Sequence, residues 1–329
     1  MLREHPPRVQ ARPRRDRAVS ALRIGTRASA LAMTQAGTVA AQLGGELVTI
    51  TSEGDTSTAS LASLGGTGVF AKALRDALLA GEVDAVVHSY KDLPTVAEPG
   101  LRIAAVPRRA DVRDALCARD GLTLETLPEG ARVGTGSPRR RAQLAARRPD
   151  LVLVDIRGNV DTRLARVGAD DPERALDAVV LAAAGLDRLG RLDEAATELL
   201  SPDSWPTAAA QGALAVEVRA GENPFDGRIR RIDHRASRIT AEAERGVLAR
   251  LEAGCAAPIG VHAFFEDDLV FLSARVYAPD GSAQLTSSHA AADDVDVAEE
   301  LAVRVADELL ALGAADLAPL RDPGAEDRS

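Results

Sequence analysis

Two stretches of this chain open in nearly the same way: Arg23-Ile24-Gly25-Thr26-Arg27-Ala28-Ser29 and Arg132-Val133-Gly134-Thr135-Gly136-Ser137. Each sets Gly-Thr and a serine between a short apolar strand and a helix. A repeat of that kind leaves few folds open. Strand, helix and strand in succession build a parallel sheet with helices on its faces. The repeat therefore predicts two similar α/β domains facing one another.

In the first, the periodicity predicts a strand at Leu22–Thr26, a helix at Leu31–Leu43 and a strand at Glu46–Ile50. In the second it predicts strand Arg132–Thr135, helix Arg139–Ala146, strand Leu151–Asp155, a helix from about Val160, and strand Asp177–Leu181. Between Ile50 and a helix near Phe70 runs Ser52 to Gly68, rich in Ser, Thr and Gly, a length that predicts a mobile lid. The last third differs. Ile239, Ala243, Val247 and Leu251 recur every four residues and predict a helix ended by Gly254. Val270–Val276 and Ala283–Ser287 flank Ala278-Pro279-Asp280-Gly281-Ser282 as a hairpin, and Val295–Leu312 is a closing helix. That makes a small α+β domain.

A chain of 329 residues, 46% hydrophobic and 27% charged, is globular and long enough for two or three domains. Aromatics are only 2%, which argues against base stacking on single-stranded nucleic acid, and a net charge of −9 argues against a general nucleic-acid partner. No run of about eighteen apolar residues is present, so no membrane span is expected. Cys117 and Cys255 lie far apart and form no disulfide or metal-ligand pattern, which fits a reducing cytoplasm. The Arg-rich stretch up to Ser20 has no apolar core and reads as a disordered basic tail, with an organelle transit peptide as the second reading.

The apolar strand Asp84–Val87 empties into His88-Ser89-Tyr90-Lys91-Asp92 and stops at Pro94. In open α/β sheets ligands collect beyond the carboxyl ends of strands. Asp92, beside Lys91 and His88, could act as an acid/base or stabilise a developing cation, or could only order the loop through an ion pair. Arginines load the strand-to-helix loops: Arg23, Arg27, Arg139, Arg140, Arg157 and Arg163. Helix N-termini hold anions, and guanidinium groups grip carboxylates in pairs. Each charge pair is worth about 4 kcal/mol at an effective dielectric of 20, so several would hold a polyanion and one would not. Arg141, Arg147 and Arg148 read as solvated helix charges. No nucleotide phosphate loop or dinucleotide glycine pattern occurs. Cys255 follows a helix on a Gly- and Pro-punctuated loop and is either a functional thiol or a small buried hydrophobe. Cys117 reads as a structural strand position.

Taken in order, several segments closely resemble the porphobilinogen deaminase (hydroxymethylbilane synthase) family. They are Arg23–Ala32, Gly54-Asp55, Val87–Pro94, Val133–Arg140, Ile156–Leu164, Ala210–Leu214 and Leu251–Gly260, and the resemblance spans Leu22 to Leu320. It implies two periplasmic-binding-protein-like (type II) α/β domains, residues 21–108 with 206–228 and residues 109–205. A small α+β domain at 229–322 and tails at 1–20 and 323–329 complete the chain. The segment around Gln211 is expected to cross back into the first domain. The implied reaction joins four porphobilinogen units head to tail with loss of ammonia, and water frees linear hydroxymethylbilane. The chain would grow on a dipyrromethane cofactor held by a thioether to Cys255.

By the same resemblance Asp92 is the catalytic carboxylate, bonding pyrrole N–H groups and stabilising the cationic azafulvene. Lys91, Ser89, Thr135, Ser137, Arg139, Arg140 and Arg163 would contact the cofactor. Arg23, Arg27, Ser29, Arg157, Gln211 and Phe70 would contact substrate, and Thr56–Gly66 would be the active-site loop. A cytoplasmic monomer without metal, nucleic acid or membrane partner is implied. The chain departs from the pattern at Glu53, Thr67, Gly136 (where a serine is usual) and Trp205-Pro206-Thr207. The alternative is a non-catalytic, two-lobed anion-binding or effector-sensing protein of the same architecture.

Overall fold

A computed structural model describes residues 21–51, 68–254 and 257–320, with main chain alone for 68–70. The basic tail, the lid from Ser52, the Phe70 side chain, and Cys255 lie outside the described residues.

Strands that are apolar on both sides have to be covered by helices on both faces, and the chain meets this demand twice. The first lobe holds β1 (Arg23–Thr26), α1 (Ala30–Leu43), β2 (Glu46–Thr49), α2 (Gly68–Leu79), β3 (Ala85–Ser89) and β4 (Leu101–Ala105). β1 runs parallel to β2 and β3, with Arg23 opposite Glu46 and Ile24 opposite Ala85. Crossing to the second lobe, the chain forms β5 (Asp114–Ala118), β6 (Arg132–Gly134), α3 (Pro138–Arg147), β7 (Val152–Val154), α4 (Val160–Leu164), β8 (Ala178–Ala182), α5 (Ala183–Arg188) and β9 (Glu198–Leu200). It then returns, and β10 (Leu214–Arg219) slots antiparallel between β3 and β4.

The two five-stranded sheets have matching orders, β2-β1-β3-β10-β4 and β7-β6-β8-β5-β9. In each, three parallel strands are followed by an antiparallel one brought in by a crossing segment. The expected return around Gln211 is therefore present. The crossings lie at the edge of the site, so the fold ties both lobes together where ligand would sit.

The third unit is α6 (Arg235–Arg250), an antiparallel sheet of β11 (Ile259–Glu266), β12 (Leu269–Tyr277) and β13 (Gln284–Ala292), and α7 (Val297–Ala311). Alternate strand residues, among them Val261, Leu272 and Val276, pack on Val247 and Leu251 near the end of α6 and on Leu301 and Val305 of α7. Two boundaries differ from expectation. α6 begins earlier, because His234 caps it by accepting from the Ser237 amide, and it ends at Arg250 rather than near Gly254. β11 was not foreseen, since Gly260 and the Phe264-Phe265 pair blur its alternation. The hairpin turn packs hard on the second lobe: Gly281 has φ +77, and an added Cβ would fall 2.5 Å from the Ala146 amide nitrogen of α3.

Candidate active site

β3 ends at Ser89 and the chain turns at once into a short 3-10 helix, Tyr90–Asp92. The turn is held through its main chain. The Tyr90 amide donates to the Ala213 carbonyl at 3.0 Å. Arg245 of α6 stacks 4.5 Å from the Tyr90 ring centroid and donates to the carbonyls of Tyr90, Leu93 and Pro94 at 2.9, 2.9 and 2.6 Å. This leaves the side chains available. The Asp92 carboxylate is exposed, and among the described residues no hydrogen bond or ion pair engages it. Lys91 Nζ donates to Gln211 Oε1 at 3.3 Å. Burial, helped by Arg140 and Arg139, pushes the Lys91 ammonium below the ordinary lysine range against the pull of Asp92 and Asp114. Ser89 takes a hydrogen bond from Gln35 of α1 at 3.0 Å.

The second lobe is organised around an acid that pattern reading did not single out. Asp114 opens β5 and is wholly buried. Its Oδ2 accepts from Arg139 Nη2 and Trp205 Nε1, both at 2.9 Å, and its Oδ1 from Arg140 Nη2 at 2.6 Å and Gln211 Nε2 at 2.8 Å. Burial alone would push this carboxyl up, but Arg139 and Arg140 outweigh it and hold the group well below the usual carboxylate range. Arg139 also donates to Gln143 Oε1 and to the Pro206 carbonyl, at 2.7 and 3.0 Å, and Arg140 to the Val180 carbonyl at 2.9 Å. Two donors are left over: Nε of Arg139 and Nε of Arg140 are buried with no hydrogen-bond partner among the described residues.

Around this pair, Thr135 is buried and its Oγ1 accepts from the Ser137 amide at 3.2 Å, while Ser137 caps α3 by accepting from the Arg140 amide at 3.4 Å. Arg163 is half-buried, with Nε on the Gly158 carbonyl at 2.8 Å. Burial, then Arg140 and Arg157, push its guanidinium below the ordinary arginine range. Arg157 is exposed, 3.7 Å from Asp155 Oδ2. Ser29 caps α1 on the first lobe by accepting from the Ala32 amide at 3.4 Å, and Arg27 precedes it, half-buried. Arg188 of α5, which pattern reading also missed, donates to the Gly212 carbonyl at 2.7 Å across the lobes.

Several expectations need correction. Arg23 is not at the site. It starts β1, and its guanidinium is committed to Asp84 and the Gly81 carbonyl at the amino ends of the strands, the opposite end from Asp92. Gln211 offers no open group to a substrate: it is fully buried, receiving Lys91 and donating to Val112 O and Asp114, so it bridges the lobes. Arg139 and Arg140 each have both terminal nitrogens committed inside the protein, so both hold Asp114 and neither presents an open fork. His88 is buried and committed elsewhere, on the face of β3 opposite to Ser89. Its Nε2 meets Glu217 Oε2 at 3.1 Å, beside Arg75. Arg148 is not a solvated charge but ties the Leu124 and Leu127 carbonyls to Asp150. Cys117 is buried as expected, and burial pushes its thiol up to about 11.

Two departures from the family pattern have a physical account. Trp205 supplies a donor to Asp114, and Thr207 pairs with Val261 of β11, so this segment ties the second lobe to the third unit. Gly136 is required by close approach: an added Cβ would lie 2.7 Å from the Ile156 carbonyl oxygen.

The arrangement gathers an excess of guanidinium and ammonium groups around the exposed carboxylates of Asp92 and Asp155 and the buried Asp114, and among the described residues two buried donors still lack acceptors. Such a site suits a ligand bearing several carboxylates.

Comparison with known proteins points the same way. A family model described as "Porphobilinogen deaminase, dipyromethane cofactor binding domain" matches residues 22–226, and one described as "Porphobilinogen deaminase, C-terminal domain" matches residues 238–311. The porphobilinogen deaminase of Leifsonia xyli subsp. xyli is 59% identical over 323 residues, covering 93% of this chain and 97% of that one. That of Micrococcus luteus is 51% identical over 360 residues, covering 92% and 95%. Among solved structures, the methionine binding protein MetQ overlaps 64% of this chain and 89% of its own at a TM-score of 0.40 and 12% identity.

Proposed function

The chain belongs to the porphobilinogen deaminase family, and we propose that the Asp92 turn and the arginine loops divide that family's reaction between them. The protein is a transferase of tetrapyrrole biosynthesis, a hydroxymethylbilane synthase. It joins four porphobilinogen molecules head to tail, releases ammonia with each, and lets water free the product. When bound, the dipyrromethane cofactor supplies the primer on which the chain grows.

The residues present fit that group. The unpartnered Nε donors of Arg139 and Arg140 and the surplus of positive charge around them call for carboxylates. In our reading Ser89, Lys91, Thr135, Ser137 and Arg163 hold the cofactor, and Arg139 and Arg140 contribute their Nε donors and the positive charge fixed around Asp114. Cys255, outside the described residues, is assigned the thioether. Arg27, Ser29 and Arg157 take substrate carboxylates. Asp92 accepts hydrogen bonds from the pyrrole N–H and sets a fixed negative charge where positive charge grows as ammonia leaves. Its carboxylate needs no reorganisation, because the turn beneath it is held through main-chain carbonyls.

We place the lobe boundaries at 21–108 with 206–228, 109–205 and 229–322. We also read the protein as a cytoplasmic monomer, as the family resemblance implies; among the described residues no helix is long and apolar enough to cross a membrane. The non-catalytic alternative is not favoured, since the relatives that align along most of this chain are named deaminases.

The observation that carries the mechanism is an exposed, unengaged carboxylate on a clamped turn beside a cation cluster with unsatisfied donors. Intact-protein mass spectrometry tests it. Protein made in cells that synthesise porphobilinogen should carry the mass of a dipyrromethane adduct, and Cys255→Ser should lose it. An unmodified wild-type mass would defeat the reading.

A further inference from the structure

Asp155 stands at the end of β7 among the arginine loops, and nothing in the mechanism above uses it. Its Oδ2 lies 3.7 Å from Arg157 Nε, with both side chains half exposed at 59% and 50%. It also acts electrostatically on Arg163, opposing the effect of Arg140 and Arg157 there. The neighbouring loop makes room for it. A Cβ on Gly136 would fall 3.3 Å from Asp155 Oδ1 and 2.7 Å from the Ile156 carbonyl oxygen. The serine usual at position 136 would crowd the place this carboxylate occupies. Gly136 and Asp155 are thus a matched pair: one removes a side chain and the other fills the space with negative charge.

We propose that Asp155 is an internal counter-ion of Arg157, which an incoming carboxylate must displace, so that it sets the affinity of the second lobe for acidic ligands. The proposal rests on the functional reading above for the identity of the ligand. It does not depend on it for the electrostatics.

Asp155→Asn keeps the shape and removes the charge. Calorimetric titration with citrate, a carboxylate probe that requires no turnover, should show binding about threefold tighter than wild type at low ionic strength. The gap should close as potassium chloride is raised, because both partners are exposed. Asp155→Ser should reproduce the shift, since the charge and not the amide is responsible. In steady-state assays the KM for porphobilinogen should fall by the same factor. Citrate affinity that is unchanged or weaker in both variants, or no citrate binding to wild type, overturns the proposal. Tighter citrate binding with an unchanged KM for porphobilinogen upholds the counter-ion and places the error in the substrate contact assigned to Arg157.

Discussion

The two α/β lobes are alike at one end and unlike at the other. At the amino ends of their strands they use the same device. The Arg23 amide donates to Asp84 Oδ2 at 3.0 Å and the Asp84 amide returns a bond to Arg23 O at 2.9 Å. In the second lobe the Arg132 amide donates to Asp177 Oδ2 at 2.7 Å and the Asp177 amide to Arg132 O at 2.9 Å. Both lobes also cap the first helix with a serine, Ser29 or Ser137. At the carboxyl ends they part. The first lobe ends its third strand in the Lys91-Asp92 turn and keeps a carboxylate open to solvent. The second follows its third strand with the apolar Ala183-Ala184 and buries its carboxylate, Asp114, under two arginines. On our reading one scaffold therefore serves two electrostatic tasks, with an open, fixed negative charge on one side and a fixed positive wall on the other. The strand starts carry the fold and the strand ends carry the chemistry.

The largest expected effect separates these tasks. Asp92→Ala removes an exposed group that makes no hydrogen bond or ion pair among the described residues, so thermal stability should hardly change. Ammonia release should fall at least about 100-fold, the scale of losing one preorganised electrostatic contact in a transition state. Turnover near wild type would show that the open carboxylate is not the working one.

Asp114→Asn should behave in the opposite manner. Breaking a buried ion pair from one side costs about 3–5 kcal/mol, here leaving Arg139 and Arg140 without their counter-charge. Because the folded-state carboxyl lies below its unfolded value, its contribution is fully present above that value and lost as pH falls. Urea midpoints of wild type and variant should therefore differ most near neutrality and converge as pH drops below about 4. A constant gap through the acid range would mean that Asp114 acts through packing and not through its charge.

This contrast also marks what pattern could reveal. The repeat of Arg-x-Gly-Thr with a following serine was legible because strand starts and helix caps are local, and the Lys91-Asp92 turn was legible because polar residues interrupt an apolar strand. Asp114 was hidden. In Arg113-Asp114-Ala115-Leu116 it looks like the polar first residue of a strand, and its partners lie 25, 26, 91 and 97 residues away. The same distance effect misassigned Arg23 and Gln211. A guanidinium beside a Gly-Thr turn has the same sequence signature whether it points to a ligand or to an aspartate 61 residues on.

A smaller effect tests how the third unit supports the open lobe. Arg245→Leu removes three hydrogen bonds to carbonyls of the Asp92 turn while leaving Asp92 itself intact. The turn should loosen, and kcat should fall about tenfold, the equivalent of about 1.4 kcal/mol in the barrier. KM should move less, since Arg245 contacts no proposed ligand. A change confined to KM would place Arg245 at the ligand and dissolve the distinction between holding the turn and gripping the substrate.

The smallest effect bears on the shared end of the lobes. Arg23 and Arg27 lie on the same strand and turn, and sequence pattern alone treats them as equals. The structure does not. Arg23 Nε and Nη2 meet Asp84 at 3.1 and 2.9 Å, and Nη2 also meets Gly81 O at 2.9 Å, with the side chain 43% exposed. An ion pair so open to solvent is worth about 0.2–1 kcal/mol, and the Arg23 amide bond to Asp84 survives any change of side chain. Arg23→Met should lower the urea midpoint slightly and leave kcat/KM within about twofold of wild type, the range of a substitution that touches no reacting group. Arg27→Met, one residue past the end of β1, should weaken porphobilinogen binding instead. If Arg23→Met were the more damaging of the two to kcat/KM, the amino ends of the strands would have to take part in chemistry, and the division between the two ends of each sheet would fail.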